Sequence, residues 1–399
     1  MYLTAINSWH TSSEHSLELR VLDKPRLMHE IGIGIVGVGF MARVHALSFA
    51  MAARMWELPV APHVLAYCGR SGTPASSLPR WPELADAKPL PGLDALLDHP
   101  DVQLCCVCTS NASHAAVSIA ALRAGMHVLC EKPLASNQDD ALRMLRQADL
   151  TTAQAAVGFN YRRVPAVELA RRMIAAGDIG VPRHIRARYL QDWALNRGAP
   201  RTWRDDPNEA GPGVLADIGS HLVDLAQHLM ASRIAAVAAL AQPEPPDRSQ
   251  NQVGKAGPLD RASLLVQFAD RTSGALELSR VASGNRNGLR FEVVGSEGSL
   301  AFSLERMNEL QVSLTRSHGE TWRRIYVTER DHPWQATRWP PGHPLSWEHT
   351  FAHQALDLVA AIAAGSDFSP NFRDGYTVDA VIAAALRAIH TKTWQPVAE

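Results

Sequence analysis

Glycine recurs through Ile31-Gly-Ile-Gly-Ile-Val-Gly-Val-Gly-Phe-Met-Ala42 at a density that a plain strand does not tolerate. A β-rich stretch, a glycine turn and a helical stretch in that order constrain the chain to a strand-turn-helix unit that cradles the phosphates of a dinucleotide. Two overlapping fingerprints are present, Gly32-x-Gly34-x-x-Gly37 and Gly37-x-Gly39-x-x-Ala42. Residues 31–36 are β-rich and residues 40–53 helical, which puts the turn at Gly37 and Gly39 and leaves Ala42 to let the helix pack closely. The first match is then a decoy within the strand. Apolar segments at 63–68, 102–108, 126–130 and 155–159 alternate with helical patterns at 92–98, 111–125 and 137–149. This alternation predicts a doubly wound parallel sheet over residues 31–160.

A chain of 399 residues exceeds one ordinary core, so a second domain is expected over 161–399. Its pattern is a helix at 165–177, a strand at 183–190, long β-rich segments from 232 to 345, and helices at 347–364 and 377–392. These segments suit a large, mostly antiparallel open sheet, with the C-terminal helices packing back on the first domain. That sheet is also the expected contact of a homodimer or homotetramer. A formal net charge of −1 gives no basic field for nucleic acid or a membrane surface, and no apolar run approaches the roughly 20 residues of a membrane span. Residues 1–30 read as an N-terminal extension without the sections of a signal peptide, Met28 being an alternative start, and a cytoplasmic address follows. Cys68, Cys105, Cys106, Cys108 and Cys130 lie on buried-strand patterns without metal-ligand spacing, so they read as core thiols and no metal is assigned.

Two segments carry the chemistry. Glu131-Lys132-Pro133 ends the apolar run AGMHVLCEKP, where the carboxyl ends of parallel strands open onto a ligand crevice. In GPGVLADIGSHLVDLAQHL, Asp217, His221 and Asp224 fall at i, i+4 and i+7, on one helical face. A surface lysine or a packing histidine would explain either alone; together they outline a polar site. The second strand ends Ala66-Tyr67-Cys68-Gly69-Arg70-Ser71, without the acid that grips the ribose of NAD. Arg70 and Ser71 offer a 2′-phosphate contact, so the residues leave NADP possible.

Between the second domain's first strand and the Asp217 helix lies the loop QDWALNRGAPRTWRDDPNEAGPG, which should wall a substrate pocket. Trp193 and Trp203 offer flat faces for a sugar ring, and Asp192, Asp205, Asp206 and Glu209 offer acceptors for hydroxyl or ammonium groups. Pairing of these acids with Arg197, Arg201 and Arg204 is the bland alternative.

From residue 31 onward the chain resembles the glucose-fructose oxidoreductase, inositol dehydrogenase and MocA family. The resemblance rests on Gly37-Val-Gly-Phe-Met-Ala42, Thr109-Ser-Asn-Ala-Ser-His114, Glu131-Lys-Pro133, Asn160-Tyr-Arg-Arg163 and Asp217-x-x-x-His221. It implies a Rossmann domain and hydride transfer from a ring carbinol to a nicotinamide. Gly37, Gly39, Phe40, Met41, Ala42, Gly69, Arg70, Ser71, Thr109, Asn111, His114, Glu131 and Lys132 would serve the cofactor. Lys132, Asn160, Tyr161, Arg162, Gln191, Asp192, Trp193, Trp203, Asp205, Asp206, Asp217 and His221 would serve the substrate. His221 is the expected general base because an imidazole of near-neutral pKa can take and return a proton, with Lys132 holding the reacting oxygen and Asp217 orienting both. Lys132 as base is the alternative. NAD is expected from the direction of the chemistry. GFNYRRVPAVELARRMI and YLQDWALNRGAPRTWR resemble the levoglucosan dehydrogenase branch, whose members oxidise carbon 3 of a pyranose, and the loop acids point to the sugar of an aminoglycoside. An inositol- or levoglucosan-type dehydrogenase, an NADPH-dependent keto-sugar reductase and a non-catalytic regulator are the rivals. One departure from the family is Ser110 in place of a frequent proline, expected to loosen the cofactor loop.

Overall fold

A computed structural model of the chain describes residues 30–69, 75–196, 200, 202–243, 259–315, 321–335 and 339–398. The N-terminal extension, Arg70, Ser71, Arg197 and Arg201 lie outside the described residues.

The first sheet comprises β1 (Glu30–Val36), β2 (Ala61–Cys68), β3 (Lys88–Leu90), β4 (Leu104–Val107), β5 (His127–Cys130) and β6 (Ala155–Val157). Its strands are all parallel, in the order β3-β2-β1-β4-β5-β6, so chain order reverses between β1 and β4. Open sheets of this kind bind ligands at that reversal. The connections carry α1 (Phe40–Met55), α2 (Leu93–Leu97), α3 (His114–Arg123) and α4 (Gln138–Ala148). Strand alternation explains the decoy glycines: Ile31, Ile33 and Ile35 pack towards α1, while Gly32 and Gly34 face the other way. A Cβ on Gly32 would lie 1.8 Å from the Asp101 carbonyl oxygen, and one on Gly34 2.8 Å from Leu96 of α2. Those glycines make room for packing and take no part in the turn.

After α5 (Pro165–Ala175) comes β7 (Pro182–Leu190), then α6 (Pro207–Ala210) and α7 (Ser220–Met230), the last preceded by a π-helical turn at Leu215–Gly219. The strands β8 (Ile234–Pro243), β9 (Leu259–Phe268), β10 (Ser273–Ser279), β11 (Gly288–Gly295), β12 (Gly298–Ser303), β13 (Glu309–Leu314), β14 (Arg323–Tyr326) and β15 (Gln395–Pro396) follow. With β7 they form a nine-stranded sheet, β14-β13-β12-β11-β7-β10-β9-β8-β15, in which only β7 and β10 run parallel. One face is covered: Ala262, Leu264, Val266 and Phe268 of β9 join the core that contains Leu222 and Leu225 of α7. The other leaves Leu240 and Leu265 exposed.

Helix α8 (Trp347–Ala364) returns to the first sheet, where Leu358 and Val359 pack with Ile31, Ile33 and Phe49. Helix α9 (Phe372–Thr391) starts five residues before the sequence pattern indicates, because Asn371 caps it and Asp374 completes a capping box. Among the described residues no helix is long and apolar enough to cross a membrane.

Candidate active site

The turn after β1 has the shape its glycines suggest. Gly37 sits at φ 114°, in the region open to glycine, and a Cβ there would lie 2.4 Å from the Cys108 carbonyl oxygen. Its N–H donates to Cys68 O at 2.8 Å, tying the turn to β2. Gly39, the residue before α1, differs: a Cβ there would meet nothing within 4 Å. No side chain caps α1 and no acid occupies its first turn, so its leading N–H groups face that open space. An open cradle at a helix N-terminus fits a pyrophosphate. Ala42 is fully buried beneath the turn, and Phe40 stacks on Trp347 of α8 at 5.9 Å. Gly69, at the end of β2, is half-buried.

At the far side of the reversal, β5 runs into Glu131-Lys132 and a cis Pro133. Glu131 is buried and its Oε1 lies 2.7 Å from His45 Nε2. Burial opposes both charges, but His45 holds Glu131 below its ordinary value, and Cys108 together with Glu131 holds His45 above its own. Lys132 points the other way: its Nζ donates to the Asp217 carbonyl at 2.6 Å and lies 3.6 Å from Asp217 Oδ1. Asp217 stands on the π-helical turn, an irregularity frequent at functional sites. Arg280, almost wholly buried, approaches its other oxygen at 3.6 Å and pairs with Asp260 at 3.0 Å. Burial works against the Asp217 charge, but Lys132 and Arg280 hold its carboxyl below the ordinary value.

His221, one turn on, packs its ring 4.6 Å from that of Tyr161. Its Nδ1 has no hydrogen-bond partner among the described residues. Burial, reinforced by Lys132, brings its pKa well below 6.5, so the imidazole is neutral at physiological pH. The sequence-based expectation of a near-neutral pKa is corrected by this surrounding. Beside it runs a chain of polar groups: Tyr161 and Tyr189 hydroxyls 2.9 Å apart, Tyr189 donating to Asn287 Oδ1 at 2.6 Å, Gln191 donating to the same oxygen at 2.9 Å, and Trp193 Nε1 donating to Gln191 at 2.9 Å. These residues, with Met41 from α1 and Phe351 from α8, enclose a cavity of about 440 Å³.

Residues 31–159 match the oxidoreductase family with an NAD-binding Rossmann fold, and residues 167–301 match the GFO/IDH/MocA C-terminal domain. The chain is 33% identical over 400 residues to levoglucosan dehydrogenase of Pseudarthrobacter phenanthrenivorans, covering 92% of this chain and 98% of the relative. This chain belongs to the GFO/IDH/MocA oxidoreductase family. It is also 25% identical over 353 residues to glucose-6-phosphate 3-dehydrogenase of Bacillus subtilis, covering 88% of this chain and 94% of that one. A solved levoglucosan dehydrogenase in complex with NADH and levoglucosan superposes with a TM-score of 0.87 at 32% identity, covering 93% of this chain and 100% of that one. The first sheet of this GFO/IDH/MocA member is thus an NAD-binding Rossmann domain, and the protein is an NAD-dependent oxidoreductase of the sugar and polyol dehydrogenase family.

Of the residues singled out in the sequence, Met41, Glu131, Lys132, Asn160, Tyr161, Gln191, Trp193, Asp217 and His221 line the cavity. Asn160 also donates to Thr350 Oγ1 at 2.8 Å, fastening α8. Arg162 does not reach the cavity. It is buried against Asp224, its Nε 3.0 and 3.1 Å from the two carboxylate oxygens, and against Asp374 at 3.3 Å. Burial raises Asp224 to about 6 with Arg162 opposing, so at neutral pH the two form a buried ion pair.

The loop acids are likewise spent locally. Asp205 accepts from the Thr202 backbone at 2.8 Å, Asp206 caps α6 through Asn208 N–H at 2.9 Å, and Asp192 pairs with Arg286 at 3.4 Å. Glu209 accepts from Ser110 Oγ at 2.6 Å, so Ser110 fastens the cofactor loop to α6 and does not loosen it. Trp203 stacks under Arg204 at 4.6 Å and does not line the cavity. Asn111 donates to Ala210 O at 2.8 Å, and His114 bridges Pro133 O at 2.9 Å and Thr109 O at 3.3 Å, so both brace loops. Thr109 Oγ1 reaches its neighbour's carbonyl at 3.4 Å.

Sequence reasoning missed Tyr189, Arg204, Asn287, Trp347 and Phe351 in the lining and Arg280 behind it. It also missed that His45 joins Cys106 and Cys108, with donor atoms within 4.8 Å of one another, because the third donor comes from α1. Burial pushes both thiols up, and Glu131 already engages His45.

Proposed function

We propose that the protein oxidises a secondary hydroxyl of a pyranoside ring, at carbon 3. The observation that carries this is the meeting of Lys132, Asp217 and His221 at one cavity beside the dinucleotide turn. The names of two relatives, a levoglucosan dehydrogenase and a glucose-6-phosphate 3-dehydrogenase, support a sugar ring and its third carbon. NAD, bound along Gly37, Gly39 and the N-terminus of α1, supplies the hydride acceptor.

The side chains divide the remaining work. Lys132 has one proton on the Asp217 carbonyl and directs its charge at the cavity, where it binds the reacting oxygen and stabilises the negative charge that develops there. Asp217, fixed between Lys132 and Arg280, keeps that ammonium in place. His221 is a neutral imidazole in the cavity lining and takes the hydroxyl proton. Tyr161, Tyr189, Gln191 and Asn287 present donors and acceptors to the other ring hydroxyls. A cationic aminoglycoside sugar loses its support, since Asp192, Asp205, Asp206 and Glu209 do not line the cavity.

Incubation with NAD and a panel of pyranosides, inositols and amino sugars, followed by absorbance of the reduced nicotinamide and location of the new ketone by NMR, tests the proposal. Turnover of inositols without any pyranoside, or a ketone at another carbon, would refute it.

The pH dependence follows from His221. A base whose pKa lies well below 6.5 stays unprotonated as pH falls through 6.5, so kcat/KM for oxidation is expected to run level from pH 8 to 6. A tenfold loss per pH unit beginning near 6.5, absent in His221→Gln, would show an ordinary histidine instead.

The open face of the nine-stranded sheet supports self-association. Leu240 and Leu265 are exposed there among Arg186, Arg188 and Arg290 and the carboxylates Glu277, Glu292 and Glu305. Both signs on one face let a second copy pair with it about a two-fold axis. Sedimentation should therefore give a dimer or tetramer, dissociated by Leu240→Glu with Leu265→Glu; a monomeric wild type would exclude it.

A further inference from the structure

One cation of the cavity lining lies outside its ion pairs. Lys132, Asp217, Arg280 and Asp260 form one connected group of two cations and two anions. Glu131 is matched by His45, and His221 is neutral. Arg204 stands outside these pairs, although its charge also helps to hold the Asp217 carboxyl below its ordinary value. It lines the cavity beside Thr202 and Trp193, the exposed lining residues that mark its mouth. Its guanidinium lies 4.6 Å over the Trp203 ring, and among the described residues no carboxylate pairs with it. The acids of its own loop do not pair with it: Asp205, Asp206 and Glu209 turn to the Thr202 backbone, the α6 cap and Ser110, and Asp192 turns to Arg286. Stacking on Trp203 holds the planar fork, and a guanidinium held in this way suits an oxyanion that can take two hydrogen bonds.

We propose that the preferred substrate is a pyranoside bearing an oxyanion, a phosphate ester or a carboxylate, which Arg204 binds at the cavity mouth while a ring hydroxyl meets Lys132 and His221. The inference rests on the dehydrogenase reading of the same cavity and reverses the sign of ligand charge that the loop acids suggest in the sequence. A cationic sugar would meet Lys132 and Arg204, while the lining carboxylates Glu131 and Asp217 already face His45, Lys132 and Arg280.

The experiment compares NAD-linked oxidation of glucose, glucosamine, glucose 6-phosphate and glucuronate by wild type, Arg204→Gln and Arg204→Lys, alongside calorimetric titration of the NADH-saturated proteins with the same sugars. The wild type is expected to favour at least one anionic sugar over glucose by about tenfold or more in kcat/KM, with glucosamine poorest. Arg204→Gln should shrink the anionic-to-neutral ratio by a similar factor, through KM more than kcat, and Arg204→Lys should recover part of it. The two anions distinguish a phosphate from a carboxylate partner. Preference for glucose or glucosamine, or a ratio unchanged in Arg204→Gln, overturns the proposal while leaving the dehydrogenase reading intact. Should no sugar be oxidised, that reading fails and calorimetry decides separately: anion binding weakened in Arg204→Gln upholds the Arg204 site, and equal binding overturns it. A preference already absent in the wild type decides the matter even if a variant does not fold.

Discussion

Lys132→Ala and His221→Ala are each expected to lower turnover by about a hundredfold or more while NADH affinity changes little. The two losses have different physical origins. Without Lys132, the oxygen of the reacting hydroxyl loses the ammonium that faces it as it gains charge, and Asp217 keeps only Arg280, at 3.6 Å and shared with Asp260, so its negative charge beside that oxygen is less well matched. Without His221, the proton loses its acceptor, since a neutral tyrosine hydroxyl is a poor base and burial holds the neighbouring Tyr189 well above its ordinary pKa. Asp217→Asn should act in the same direction by removing the carboxylate charge 3.6 Å from the Lys132 ammonium. Steady-state rates with NAD, paired with NADH fluorescence titrations and melting curves, separate loss of chemistry from loss of fold. Near wild-type rates in all three variants, with cofactor bound, would remove this cavity as the seat of the reaction.

How much of this the sequence disclosed depends on whether a residue's role is local. Gly37 and Gly39 were legible because a strand-turn-helix unit is contiguous, and alternation along β1 explains why Gly32 and Gly34 imitate it. Lys132 was legible from its place at the end of β5. Asp217 and His221 were legible from helical spacing, although the π-helical turn between them was not, and the same spacing gave no warning that Asp224 turns to Arg162. The loop acids misled for a complementary reason: a carboxylate in a polar loop is most easily satisfied by a backbone N–H two or three residues away, and Asp205 and Asp206 do this. Arg280 and Asn287 carried no local signal, since each matters through a partner far off in the chain, Asp217 for one and Tyr189 for the other. The low His221 pKa likewise comes from burial against Phe159, Tyr161 and Tyr189, which no spacing rule reports.

The two turn glycines should fail in different ways when given a methyl group. Gly37→Ala places a Cβ 2.4 Å from the Cys108 carbonyl oxygen at a φ of 114°, so the turn must distort or β4 must move. The backbone conformation alone costs about 1–3 kcal/mol for a non-glycine residue, and the overlap adds to it. This variant is expected to melt early and to bind NADH poorly. Gly39→Ala has no such conflict: φ is −91° and no atom lies within 4 Å of the added Cβ. Its melting temperature in the absence of cofactor should match the wild type within a degree or two. Its methyl group nevertheless fills the space faced by the first N–H groups of α1, where charge-assisted hydrogen bonds to a pyrophosphate are worth about 1.5–3 kcal/mol each. NADH affinity is therefore expected to fall by about tenfold to a hundredfold in a protein that is otherwise intact. Fluorescence titration with NADH and calorimetric melting of the same preparations read the two effects independently. Gly39→Ala binding NADH as tightly as the wild type would mean that the pyrophosphate does not occupy the cradle before α1. Gly37→Ala melting normally would mean that the turn does not depend on its left-handed residue.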